Sequence, residues 1–140
     1  MFRISDIGCL LDLSWVVEVV DRVADLLQIQ PCDPNLGIIG ALPFRQTRIP
    51  VVDPTRHLRL NSGNSIEDKV ALVLKSSEGN WALLVDRVED ICPEEQLQHC
   101  DVPPLLKAGP SGYFPDILLR RNEPLMVIEP ERLYGSLVTA

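Results

Sequence analysis

One phrase occurs twice in this chain. Residues 48–58 read RIPVVDPTRHL and residues 124–134 read PLMVIEPERLY, each an apolar stretch, an acid, a proline, one variable residue and an arginine. Aligning Asp53 with Glu129 sets an offset of 129 − 53 = 76. At that offset Leu42 meets Leu118, Arg45 meets Arg121, Gln46 meets Asn122, Val51 meets Val127 and Arg56 meets Arg132. Upstream, LLDLSWVVEV (10–19) lies on ALLVDRVEDI (82–91) at an offset of 72, placing Val16 on Val88, Glu18 on Asp90 and Val19 on Ile91. Matches among Val and Leu carry little weight; the acid-Pro-x-Arg phrase and the aligned arginines point to an internal duplication. A chain of 140 residues holds one ordinary domain or two very small barrels around a common core. The duplication divides it into approximate barrels at 1–66 and 67–140, with strand exchange between them allowed.

The phrase has a local physical reason. An acid that ends a strand serves as an N-cap, and proline suits the first helical position, where no N–H is needed. Asp53-Pro54 and Glu129-Pro130 therefore predict a short helical turn closing each copy and packing Leu58 and Leu133. Elsewhere, short apolar runs are punctuated by Gly, Pro and Asn, as in small antiparallel barrels. FRIS and CLLDL read as strands joined by a turn at Asp6-Ile7-Gly8. VALVLK (70–75) and WALLVD (81–86) read as a hairpin turned by Gly79 and Asn80. SWVVEVVDRVADLLQIQ is ambiguous. Trp15, Val19, Val23, Leu26 and Leu27 fall at helical spacing, yet five valines in nine residues favour a strand.

Composition narrows the function. Hydrophobic residues make up 46% and charged ones 24%, the profile of a soluble globular chain. Thirteen Lys and Arg against twenty Asp and Glu give a net charge of −7, the wrong sign for a phosphate backbone. With two Trp, two Tyr and three Phe there is little to stack on bases, so no nucleic-acid partner is expected. The apolar runs fall short of the roughly 20 residues a membrane helix needs, and no membrane insertion is expected. The N-terminus is unlike a secretory signal, so a cytoplasmic location is expected. Four cysteines form no C-x-x-C pair, and Cys92, His99 and Cys100 match no standard zinc spacing, so no metal or other cofactor is expected. Charge is uneven, however: residues 1–66 carry −1 and residues 67–140 carry −6. Arg45, Arg48, Arg56 and Arg59 cluster beside His57, either as a solvated face or as a patch for an acidic partner.

Four segments resemble a known family. LLDLSWVVEVV is similar to a strand of bacterial chemotaxis coupling proteins, the CheW-like domains. GALPFRQTRIPVVDPTRHL is similar to that family's most recognisable stretch, and WALLVDRVEDI to its second-half Val-Asp-x-Val segment. PLMVIEPERLYG corresponds to the closing strand and short helix. The resemblance implies a single domain over 1–140, mostly β, with two pseudo-symmetric five-stranded SH3-like barrels around a shared core and short helical turns. It also implies strand for residues 10–20. The family's Asn-Leu-Arg-Gly becomes Pro43-Phe44-Arg45-Gln46 here. Losing Asn and Gly removes the residues most willing to take left-handed backbone, which implies a differently shaped turn.

As the resemblance implies, the function is that of a non-catalytic adaptor. It would bind a chemotaxis-type histidine kinase through that kinase's similar regulatory domain (CheA-like) and the cytoplasmic tip of a chemoreceptor, for a flagellar or another output. Val16, Glu18, Gly40 and Arg45 sit at positions of the family's binding surfaces. Arg45 is either a partner contact or a structural residue pinning carbonyls across the turn, and Gly40 serves backbone geometry. Apolar side chains around Ile91 and Leu97 are further candidates for the kinase contact. The rival reading is a small-barrel enzyme using a carboxylate pair drawn from Asp12, Asp53, Asp86 and Glu129. No G-x-S-x-G, Walker loop or H-E-x-x-H accompanies those acids.

Overall fold

The computed structural model describes residues 1–5, 7–29, 38–55, 66–76, 79–100, 116–131 and 133. Among these residues twelve strands form two sheets. In chain order they are β1 (Phe2–Ile4), β2 (Ile7–Leu10), β3 (Val16–Val20), β4 (Gln28–Ile29), β5 (Ile38–Phe44) and β6 (Thr47–Val52), then β7 (Val70–Ser76), β8 (Gly79–Val85), β9 (Arg87–Val88), β10 (Gln98–Cys100), β11 (Asp116–Arg120) and β12 (Glu123–Val127). One sheet runs β10-β11-β12-β2-β1-β9 and the other β3-β7-β8-β6-β5-β4. The mostly-β, two-sheet, SH3-like architecture is as the sequence implies, although the sheets are not closed into barrels. Each has a sixth member, and in each it is a two-residue edge piece, β9 or β4.

The duplication is written in the strand registers. Within β5·β6, Ala41 faces Pro50, Leu42 faces Ile49 and Phe44 faces Thr47. Moved by 76, these pairs become Ile117–Met126, Leu118–Leu125 and Arg120–Glu123, which are the pairs of β11·β12. The pairs Leu74–Trp81, Lys75–Asn80 and Ser76–Gly79 of β7·β8 become, moved back by 72, the pairs Phe2–Cys9, Arg3–Gly8 and Ile4–Ile7 of β1·β2. The parallel pairing of Val51 with Ala82 recurs as Val127 with Leu10. Strands are thus exchanged: β1 and β2 lie with β9–β12, and β7 and β8 lie with β3–β6.

That exchange explains the apolar runs of β7 and β8, which are buried on both faces. Ala71, Val73, Ala82 and Leu84 point into the core of their own sheet, against Leu42, Phe44, Ile49, Val51 and Val23. Leu72, Leu74, Trp81, Leu83 and Val85 point the other way, into a core shared with Phe2, Ile4 and Cys9 of the other sheet and with Ile128 and Leu133. At the equivalent positions Cys9 and Trp81, a small and a large side chain fill the same core.

In the described residues each acid-proline phrase begins a turn. Asp53 Oδ1 accepts from the Thr55 N–H at 3.0 Å and its hydroxyl at 2.8 Å. Pro130, Glu131 and Leu133 are helical, with the Leu133 N–H donating to Glu129 O at 3.0 Å. Leu133 is fully buried. Residues 56–59, with the rest of the first turn and the Arg56, His57 and Arg59 members of the basic cluster, lie outside the described residues, as do Asp6, Cys32 and Arg132.

Three local expectations change. The segment expected as strand over 10–20 is strand only at Leu10, the end of β2, and at 16–20. Leu13–Trp15 is a 3₁₀ turn capped by Asp12, whose Oδ1 accepts from the Ser14 N–H at 2.9 Å. Beyond it, Val23–Leu26 forms one helical turn with only Val23 buried. Gly79 and Asn80, and likewise Ile7 and Gly8, belong to strands rather than turns, because Ser76–Gly79 and Ile4–Ile7 are already ladder pairs. Finally, Pro43–Gln46 keeps a two-residue hairpin loop with left-handed backbone. Arg45 and Gln46 have φ of 47° and 68°, close to the 51° and 66° of Arg121 and Asn122. The twist of the paired strands demands positive φ there, whichever residues supply it.

Candidate protein-interaction groove

The two open strand edges β3 and β9 are equivalent under the repeat, and an apolar groove of about 560 Å³ lies between them. One wall carries Leu13, Val16 and Val19; the other carries Val88, Ile91, Cys92 and Leu97. Leu10, Leu72, Leu118 and Val127 form the floor, and Asp12, Asp90 and Glu94 supply the polar margin. Four of these aliphatics face solvent although large: Leu13 is 58% exposed, Val19 43%, Val88 43% and Ile91 71%. Clustered exposed apolar surface with a polar rim is a mark of protein association. Val16–Val88 and Val19–Ile91 are the pairs related by the offset of 72, so the groove lies across the pseudo-symmetry axis.

The charged margin is held in place. Arg3 bridges Glu89 and Glu123, at 2.7 Å to each. Hydrogen bonds from Arg3 and then Arg87 hold the Glu89 carboxyl below its usual range. Arg120 on β11 makes a two-pronged contact with Asp90, at 3.2 and 2.9 Å, which likewise lowers the Asp90 carboxyl. Beneath the margin, burial pushes the Cys9 thiol up to about 12.

The four site residues expected from sequence do not converge. Val16, half-buried, lines the groove, and Glu18 is exposed two residues along β3. Gly40 is buried in β5, where an added Cβ would come within 2.5 Å of the Gln28 carbonyl oxygen. Arg45 is exposed at the tip of the β5–β6 hairpin, its guanidinium 4.9 Å from the Phe44 ring centre. Ile91 and Leu97 do line the groove, whereas Leu13, Val19 and Val88 were not singled out. The signal for Val19 and Val88 was present: two aliphatic pairs matched across the repeat beside acids.

The carboxylates of the enzyme reading are engaged separately. Asp12 and Asp53 cap their turns. Asp86 is buried, accepts from the Ser5 N–H and lies 3.8 Å from the buried Lys69 ammonium. Glu129 precedes the closing helical turn. Among the described residues no three His, Cys, Asp or Glu side chains are grouped to hold a metal ion, and no helix is long and apolar enough to cross a membrane.

Two exchanged SH3-like sheets around a shared core, with an apolar groove on the pseudo-axis, define a class of small domains built from a duplicated sheet. The chain belongs to the CheW-like domain family, whose model matches residues 1–137. Its structure is similar to that of the scaffolding protein TtCheW from Thermoanaerobacter tengcongensis, with a TM-score of 0.73 and 22% sequence identity. That match covers 91% of this chain and 85% of the other, and at such identity it speaks to the fold. No curated protein matches the chain.

Proposed function

We propose that the chain is a non-catalytic adaptor of chemotaxis-type signal transduction. It couples a histidine kinase, through that kinase's own double-barrel regulatory domain, to the cytoplasmic tip of a chemoreceptor. The groove carries this reading, because an apolar centre bordered by charge suits docking to another protein better than chemistry on a small molecule. Membership of the CheW-like family supports it, as does likeness to a protein described as a scaffold. Val16, Val19, Val88 and Ile91 are proposed as the apolar contacts, with Glu18 beside them and Arg45 as a separate contact at the hairpin tip. Gly40 acts from within by letting β4 close on β5. A cytoplasmic location follows from these partners.

Mixing the protein with the kinase's regulatory fragment and a receptor-tip fragment from the same organism should give a complex that survives gel filtration. Ile91→Asp should abolish it without lowering the melting temperature, since the side chain is already exposed. Failure of the wild-type protein to bind either fragment, with a small ligand raising its melting temperature instead, would overturn the adaptor reading.

A further inference from the structure

The two walls of the groove are equivalent in sequence but not in support. On one side β3 is paired to β7 along its length, from Val16–Leu74 to Val20–Ala71. On the other, β9 ends at Val88, and the residues equivalent to Val19 and Val20 are Ile91 and Cys92, outside any strand. One more ladder-like bond follows β9, from the Glu89 N–H to Met1 O at 2.9 Å. Past Asp90 the wall is a coil with a 3₁₀ turn at Glu94–Gln96, whose backbone bonds are local: the Gln96 N–H donates to Pro93 O and the Leu97 N–H to Glu94 O. Yet this segment presents Ile91, the most exposed of the groove's aliphatics.

We infer that Arg120 is the positioning residue that holds this wall in its docking geometry, an assignment that rests on the adaptor reading. Its guanidinium grips both ends of the segment. Nη1 and Nη2 donate to the two oxygens of Asp90, and Nε donates to Gln96 Oε1 at 3.0 Å. With Met1 Sδ at 3.6 Å from Nη1, a planar fork of donors serves four acceptors at once, which a lysine ammonium on a flexible stem does not reproduce. Arg120 itself does not line the groove. It lies two residues along β11 from Leu118, which does, so both side chains leave the same face of the strand. The first copy has no such device: Phe44 stands at the equivalent of Arg120 and Glu18 at that of Asp90. There strand pairing does the work, and here a side chain replaces it. Fixing the wall in the free protein removes an ordering cost from binding.

The test compares Arg120→Ala and Arg120→Lys with wild type, using the kinase regulatory fragment and the receptor-tip fragment in separate titrations, with amide hydrogen exchange on the free protein. The alanine variant should bind the groove's partner about tenfold more weakly. Its amides at 91–97 should exchange faster, while those of β7 and β8 keep their protection. Lysine should not restore either property, because charge alone is insufficient. Binding within twofold of wild type, or full rescue by lysine, would overturn the assignment. If wild type binds neither fragment, the adaptor reading fails on its own. The exchange measurement then still decides the clamp, and unchanged exchange at 91–97 refutes it.

Discussion

Replacing Gly40 by alanine separates a packing role from a contact role at one atom. A Cβ built there sits 2.5 Å from the Gln28 carbonyl oxygen, 3.2 Å from the Gln28 carbonyl carbon and 3.2 Å from Leu27 Cδ1. The nearest obstacle is backbone, so no rotamer change relieves it. Either β5 and β4 move apart by several tenths of an ångström, or β4 detaches. Detachment sets the ceiling, because among the described residues β4 spans two positions and pairs as Gln28–Ala41 and Ile29–Gly40. Losing one or two backbone hydrogen bonds at about 1 kcal/mol each, with some packing of the neighbouring Leu27, gives a loss of about 1–3 kcal/mol. In urea the midpoint should fall with the slope unchanged, and the melting temperature should drop by about 4 °C for each kcal/mol. Binding to the kinase or receptor fragment, measured below the transition, should weaken little. A stability change under about 0.5 kcal/mol together with lost binding would refute the reasoning and make Gly40 a contact after all.

Four further outcomes follow from the same structure. Asp86→Ala leaves the Lys69 charge buried without its carboxylate and the Ser5 N–H without its acceptor, so it should cost about 3–5 kcal/mol by urea denaturation. Arg45→Ala removes an exposed side chain that lies over the Phe44 ring, so stability should change by no more than about 1 kcal/mol while partner binding weakens; a large stability loss would make Arg45 structural. The Cys9 thiol is raised to about 12, so above pH 9 the unfolded chain loses that proton while the folded one keeps it. Stability should therefore fall as pH rises from about 9 to 12, by up to about 1.4 kcal/mol per unit, and Cys9→Ala should flatten that slope. In the same range of behaviour, native Cys9 should resist iodoacetamide at pH 8 while the partly exposed Cys92 reacts, as peptide mass spectrometry would show.

The sequence by itself determined the repeat, and with it most of the fold. Offsets of 76 and 72 found among acids, prolines and arginines reappear as identical ladder registers, since register follows the side-chain pattern of each strand. The cap at Asp53 was legible because a carboxylate two residues before a free N–H is a local matter; the cap at Asp12 was not, since its segment read as strand. The groove was only half legible. Val16, Ile91 and Leu97 were named, but one chain read alone does not say which of its many aliphatics are left outside the core. That depends on strand exchange, which buries both faces of β7 and β8 and leaves the edges β3 and β9 open on either side of the pseudo-axis. The tertiary structure also decided the hairpin at Arg45 and Gln46, where ladder twist overrode the residues' own reluctance to adopt positive φ. It alone brought Arg120 to Asp90 across thirty residues of chain. Local chemistry is written along the sequence; exposure and long-range pairing exist only once the sheets have exchanged their strands.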